Sequence, residues 1–205
     1  ADIIDIGAES TKPFSKPIDA KSQLNRLIPV LNFAREKQIE IPISIDTRRA
    51  LVAEECIKAG AESINDVSGL EYDTSMAEIV AKYNKKIIIQ HTKGTPETMQ
   101  ISPHYDSLMD EIYKDLKRRI DFAISQGIKS ENIIIDPGIG FGKTREDNFE
   151  IIHRIKELYA LNCPVMLGIS RKSLLNIPKE DNFTKDIYTT AINTLAIENK
   201  VAYIR

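Results

Sequence analysis

Short runs of Ile and Val alternate along this chain with longer stretches in which apolar residues recur at three- and four-residue spacing. The runs predict strands at Ile3–Ile6, Ile43–Asp46, Ser63–Asn65, Lys86–Gln90, Ile133–Asp136, Val165–Gly168 and Val201–Ile204. The stretches predict helices at about 18–37, 48–59, 74–83, 106–126, 146–160 and 185–199. Strands with no polar face suit a parallel sheet covered on both sides, and strict strand-helix alternation suits right-handed βαβ crossovers. An α/β fold with a parallel sheet follows.

Alternation alone does not separate an open doubly wound sheet from a closed barrel. The strand ends argue for the barrel, because the C-terminal ends read Asp5, Asp46, Asn65, Gln90-His91, Asp136, Gly168-Ile169-Ser170 and Arg205. An open sheet gathers its ligand at one switch point, whereas a barrel brings all its strand ends to one mouth. The competing reading is that Asp and Asn at strand ends start turns and cap helices, and Asp46-Thr47 ahead of the helix at 48 fits it best. A (β/α)8 barrel of the triosephosphate isomerase (TIM) type needs about 250 residues. The expectation is therefore a single barrel domain over residues 1–205 whose first strand and helix, and last helix, lie outside the sequence.

Composition narrows the partners. Of 205 residues, 42% are hydrophobic and 28% charged, with a formal net charge of -2, so no basic footprint invites nucleic acid or an anionic membrane. No apolar run approaches the roughly 20 residues that span a bilayer. Cys56 and Cys163 have neither disulfide nor metal spacing and read as buried hydrophobes of a reducing cytoplasm. The expected ligand is a small molecule.

Three loops concentrate chemistry. Asp136-Pro-Gly-Ile-Gly-Phe-Gly-Lys143-Thr144 follows a strand and suggests a phosphate loop, but counting back from Gly142 puts Pro137 where that motif needs its first glycine. What it offers is a strand-end carboxylate, a glycine turn and Phe141 as an apolar wall. Gly168-Ile-Ser-Arg-Lys-Ser173 holds Lys172, which suits a Schiff base, a phosphate or a ring acceptor; the alternative is a helix start at Ser170 with two solvated cations. Gly7-Ala-Glu-Ser-Thr-Lys-Pro13 offers hydroxyls and a cation to an anionic group, or is a plain connection. His91, His104 and His153 have no metal-ligand spacing.

Taken with Ile43-Ser-Ile-Asp-Thr47, Ile64-Asn-Asp66 and His91-Thr-Lys-Gly-Thr-Pro-Glu-Thr-Met99, these blocks resemble the dihydropteroate synthase family through essentially the whole chain. The resemblance implies a transferase of folate biosynthesis, which condenses 6-hydroxymethyl-7,8-dihydropterin diphosphate with 4-aminobenzoate to give 7,8-dihydropteroate and pyrophosphate. It implies Asp46, Asp136 and Lys172 as catalytic groups. It implies further binding roles for Thr11, Lys12, Asn65, Phe141, Ser173 and Arg205: Arg205, Thr11 and Lys12 on the diphosphate, and Phe141, Lys172 and Ser173 around the aminobenzoate, where sulfonamides compete. Mg²⁺ is implied as counter-ion, with the family's metal-binding Asn on the first strand, so that no metal ligand is expected within this chain. A cytoplasmic homodimer is implied as well.

Three departures from the family pattern stand out. Lys12 replaces an arginine, and Asn182 to Thr190 is closer to chains fused to a pyrophosphokinase, which suggests a fused or split parent. The family's first strand with its loop, and the His that follows the position of Arg205, have no counterpart in this sequence, so little or no activity is expected of these residues alone. Two other readings stay open: a pterin-binding remnant or split-gene partner without activity, and a corrinoid-linked methyltransferase, against which Lys172-Ser173 argues.

Overall fold

A computed structural model describes residues 1–12, 15–95, 98–172, 178 and 181–205. The chain runs β1 (Ile4–Gly7), α1 (Ala20–Glu36), β2 (Ile43–Asp46), α2 (Ala50–Lys58), β3 (Ser63–Asp66), α3 (Ser75–Lys82), β4 (Lys86–Gln90), α4 (Leu108–Ser125), β5 (Ile133–Asp136), α5 (Arg145–His153), β6 (Met166–Leu167), α6 (Asn182–Glu198) and β7 (Tyr203–Ile204). Strands β1 to β5 pair in chain order, every pair parallel, and β6 pairs with β7 in the same sense. A bridge between Ile135 and Val165 joins the two sheets. The seven strands thus follow one another around a barrel wall. Among the described residues no backbone ladder links β7 to β1; Arg205, just past β7, instead reaches Asp5 on β1 at 2.9 Å.

The continuous apolar strands have a simple cause, because each strand faces a core on either side. Outward positions Ile45, Ile64, Ile87, Ile89, Ile133 and Ile135 are fully buried against the helices, with Leu27, Val52, Met76, Ile112 and Ile151 among their company. Inward positions Ile88, Ile134 and Met166 form a second, small cluster closed by Tyr203. That cluster lines one side of an interior cavity of about 370 Å³, whose other walls include Asp5, Ser44, Asn65 and Arg205. Burial pushes the Cys56 thiol up to about 12, and both cysteines are free and buried. No helix among the described residues is long and apolar enough to cross a membrane.

One predicted helix is divided. The stretch expected at 146–160 is α5 followed by a 3-10 segment, Ile155–Leu161, that ends on left-handed Asn162. Buried Ile155, Leu158 and Leu161 recur every three residues, the period of a 3-10 helix, so the tighter winding keeps all three against the core. Helix starts also move to their caps: Asp19 accepts from Ser22 N ahead of α1, and Asp181 from Thr184 N ahead of α6.

Candidate active site

Two groups of side chains meet at the C-terminal mouth of the strands. The first is acidic. Register sets Asp46 beside Asn65, and Arg205 Nη1 donates to Asp5 Oδ2 at 2.9 Å and to Asp46 Oδ2 at 3.4 Å. Asn65 Nδ2 donates to the same Asp5 oxygen at 3.1 Å, while Asp5 Oδ1 and Asn65 Oδ1 are buried with no hydrogen-bond partner. Burial and then the charge of Asp5 push Asp46 up to about 7, against the pull of Arg205. Desolvation works against the Arg205 cation, but Asp46 and Asp5 outweigh it and raise its pKa.

The capping alternative for Asp46 does not hold. Helix α2 takes its cap from elsewhere: Asp73 Oδ2 accepts from Ala50 N at 2.9 Å, and Thr47 Oγ1 accepts from Arg49 N at 3.3 Å. The turn-making residue on β3 is Asp66, whose carboxylate accepts from the backbone of Ser68 and Leu70, which leaves Asn65 to face the mouth.

The second group is built on the glycine loop after β5. Asp136 is 2% exposed, and its Oδ1 accepts from Gly138 N at 2.7 Å. Gly138 has φ 72°, and a Cβ there would lie 1.9 Å from His91 O, so only glycine fits this close approach. Lys143, the lysine of the rejected phosphate motif, is buried beneath the loop, donating to Phe141 O at 2.9 Å and contacting His91 Nδ1 at 2.9 Å. Burial lowers its pKa to about 7. It is a structural clamp that holds Phe141 in place. Lys172 Nζ sits 4.8 Å from the Phe141 ring centroid and donates to Ile139 O. Burial draws its pKa down to about 8 although Asp136 opposes the shift. Burial likewise raises Asp136, with Lys172 the largest opposing charge and Arg205 another. Those couplings tie the two groups into one electrostatic unit.

The pair Arg171-Lys172 divides its labour. Arg171 forks onto Asp186 of α6 with two bonds of 2.7 Å and stays half exposed, while Lys172 enters the mouth, so the reading of two solvated cations holds for Arg171 and fails for Lys172. Ser173 lies outside the described residues. Thr11 is half-buried and Lys12 exposed, on a loop anchored by Glu9, which accepts from Arg48 Nε at 2.9 Å and Gln23 Nε2 at 2.8 Å. Among the described residues no hydrogen bond joins Thr11 or Lys12 to the Arg205 group. Two participants lacked an assignment from the sequence: Asp5, the nearer partner of Arg205, and Gln90. Both were visible as polar strand ends.

Because burial disfavours the charged form of Asp46, its ionisation opposes folding. With a folded pKa raised from 3.8 to about 7, the stabilisation by the bound proton is fully present below about 4 and is lost as pH rises through about 7. Asp46→Asn is neutral throughout, and Arg205 keeps Asp5. Thermal unfolding is expected to show the variant more stable than the parent at pH 8, with the advantage shrinking by about 2–3 kcal/mol on going to pH 5. A difference that does not change with pH would mean that Asp46 carries no such cost.

The chain matches the pterin binding enzyme family over residues 1–205. It is 41% identical over 199 residues to the dihydropteroate synthase of Clostridium beijerinckii, covering 95% of this chain and 71% of the relative. It is 40% identical over 175 residues to that of Synechocystis, covering 85% of this chain and 60% of the relative. Its fold superposes on the Yersinia pestis dihydropteroate synthase solved as a sulfonamide drug complex with a TM-score of 0.93 at 33% identity, covering 100% of this chain and 74% of that one. The Xanthomonas albilineans enzyme solved with 4-aminobenzoic acid gives 0.90 at 31% identity, covering 100% and 73%. The chain thus spans between 60% and 74% of the length of these four proteins. A family match along every residue, joined to a barrel mouth that gathers Asp46, Asn65, Asp136, Lys172 and Arg205, makes this chain a member of the pterin-binding enzymes and, within them, of the dihydropteroate synthases.

Proposed function

We propose that this chain carries the reaction centre that condenses 6-hydroxymethyl-7,8-dihydropterin diphosphate with 4-aminobenzoate, giving 7,8-dihydropteroate and pyrophosphate. The observation that carries this reading is the convergence at one mouth of a buried carboxylate beside a lysine and an arginine spanning two further carboxylates. A dihydropterin presents adjacent N3–H and 2-amino donors, which a single carboxylate such as Asp136 accepts together. Asn65 Oδ1, buried without a donor, suits a further ring N–H. Lys172 supplies hydrogen bonds to the ring oxygen and neighbouring nitrogen.

The diphosphate anion competes with Asp5 and Asp46 for Arg205, with Thr11 and Lys12 as helpers on the β1 loop. Breaking the methylene carbon–oxygen bond sends its electron pair to the departing diphosphate and leaves a cationic pterin methylene. Asp46, freed of part of its ion pair, stabilises that charge. The aminobenzoate nitrogen then bonds to the methylene, and its released proton passes to pyrophosphate or solvent. Phe141 and Lys172 give the aminobenzoate an apolar face and a cation.

Mg²⁺ enters this proposal only as a counter-ion carried in with the diphosphate. The described residues do not suit a resident ion: no three metal-ligating side chains converge, and Arg205 already spans the Asp5–Asp46 pair. A homodimer is supported by α6, where Phe183, Ile187 and Leu195 fall on one stripe and are each more than half exposed. A cytoplasmic setting is supported by two free, buried thiols.

The test is aminobenzoate-dependent pyrophosphate release by the whole protein that contains this chain. Turnover that collapses in Asp136→Ala and Lys172→Ala supports the proposal; unchanged rates in both variants defeat it.

A further inference from the structure

Gln90 closes β4 and stands between the two groups, because the sheet places β4 between β3, which carries Asn65, and β5, which carries Asp136. Its register partner is Asp136. It lies two residues beyond Ile88, which packs inside the barrel with Ile134 and Met166, so strand alternation puts Gln90 on that inner face. The residue is 1% exposed. Arg119 Nη1 donates to its backbone oxygen at 3.0 Å and pins the strand end.

The orientation of the Gln90 amide is set by its neighbour. Thr92 Oγ1 gives its one proton to Val67 O at 2.8 Å, so towards Gln90 it only accepts, and Gln90 Nε2 donates to it at 3.1 Å. The amide nitrogen is thereby fixed on Thr92. Its oxygen is left buried and without a hydrogen-bond partner. A buried acceptor with no donor carries a desolvation penalty that a ligand donor relieves.

The ligand proposed above has one donor unaccounted for. Asp136 takes N3–H and the first hydrogen of the 2-amino group; the second hydrogen of that group points to the side of the ring that Asn65 reads. Gln90 lies on the strand between them. We infer that Gln90 Oε1 accepts this second hydrogen, making Gln90 a specificity-determining contact that selects a primary amine at the 2-position of the pterin. The inference rests on the pterin reading and adds a residue to it. It also assigns Thr92 a positioning role, since Thr92 decides which end of the amide faces the ligand.

Calorimetry on the whole protein with 6-hydroxymethylpterin and its 2-methylamino derivative tests this. The methyl group occupies the second hydrogen's place while one N–H remains for Asp136, so the parent is expected to bind at least about tenfold tighter. Gln90→Met keeps the volume and removes the acceptor: it should weaken the parent ligand about tenfold and leave the methylamino ligand unchanged, collapsing the preference. Gln90→Ala, which makes room for the methyl group, should turn the preference towards the methylamino ligand. A merely structural role would weaken both ligands alike, and that result, or an unaltered preference in both variants, overturns the inference. Wild-type protein that binds neither ligand removes the pterin reading itself, and this inference with it.

Discussion

Asp136→Asn is expected to lower the affinity for 6-hydroxymethylpterin, and kcat/KM for its diphosphate, by a factor of about 10² to 10⁴ while leaving the fold intact. The loss follows from what the carboxylate is placed to do. One of its oxygens is committed to Gly138 N, and the ring presents two adjacent donors to the remaining acceptor capacity. An asparagine in the same pose turns an NH₂ group towards a donor. Two hydrogen bonds to a charged acceptor, each worth about 1.5–3 kcal/mol, set the size of the effect. The folding side has the opposite sign, because burial already raises the Asp136 pKa and the neutral amide is spared that penalty. Calorimetry and thermal unfolding on the same preparation decide the matter. Affinity within tenfold of the parent would remove Asp136 from the pterin contact, and a collapse of the melting temperature would make its role structural.

This separation of binding from stability clarifies how much the sequence reveals by itself. The strand pattern was readable because outward Ile45, Ile64, Ile87 and Ile135 must be buried against helices whatever the barrel holds. The ends of those strands were readable as a site because a barrel converges them, and Asp46, Asn65 and Asp136 do face one mouth. What escaped depends on curvature and on local torsion. Asp5 is closer to Arg205 than Asp46 is, a consequence of how far the wall bends before residue 205 returns to β1. Arg171 and Lys172 are adjacent cations of equal promise in the sequence, and they part because Arg171 takes a left-handed turn at φ 53° that sends its side chain to Asp186. Lys143 belongs to a loop whose spacing fails the phosphate motif, and only its three-dimensional neighbours His91 and Phe141 make it a buried clamp. The division of the helix after His153 was latent in the three-residue spacing of Ile155, Leu158 and Leu161, which a helical period of 3.6 also tolerates over so short a span.

Lys172 is where electrostatics sets the pH behaviour as well as the rate. Burial lowers its pKa to about 8, so its ammonium form is abundant at neutral pH and is lost as pH rises past that value. Asp46 titrates near 7 and is needed as the carboxylate, so its contribution is lost as pH falls through that value. Since kcat/KM reports the free enzyme, the profile is expected to be a narrow bell with its acid limb near 7 and its alkaline limb near 8. Lys172→Met removes the ring donor and the cation over Phe141, and is expected to reduce kcat/KM by about 10² to 10³ with no alkaline limb near 8. Lys172→Arg keeps the charge at every accessible pH, so it should restore part of the rate and move the alkaline limb upward, although its planar fork does not reproduce the ammonium geometry. The limb and the rate must move together for Lys172 to be the titrating donor. An alkaline limb that stays near 8 in Lys172→Arg would assign that titration to another group, with buried Lys143, lowered to about 7, the first to examine.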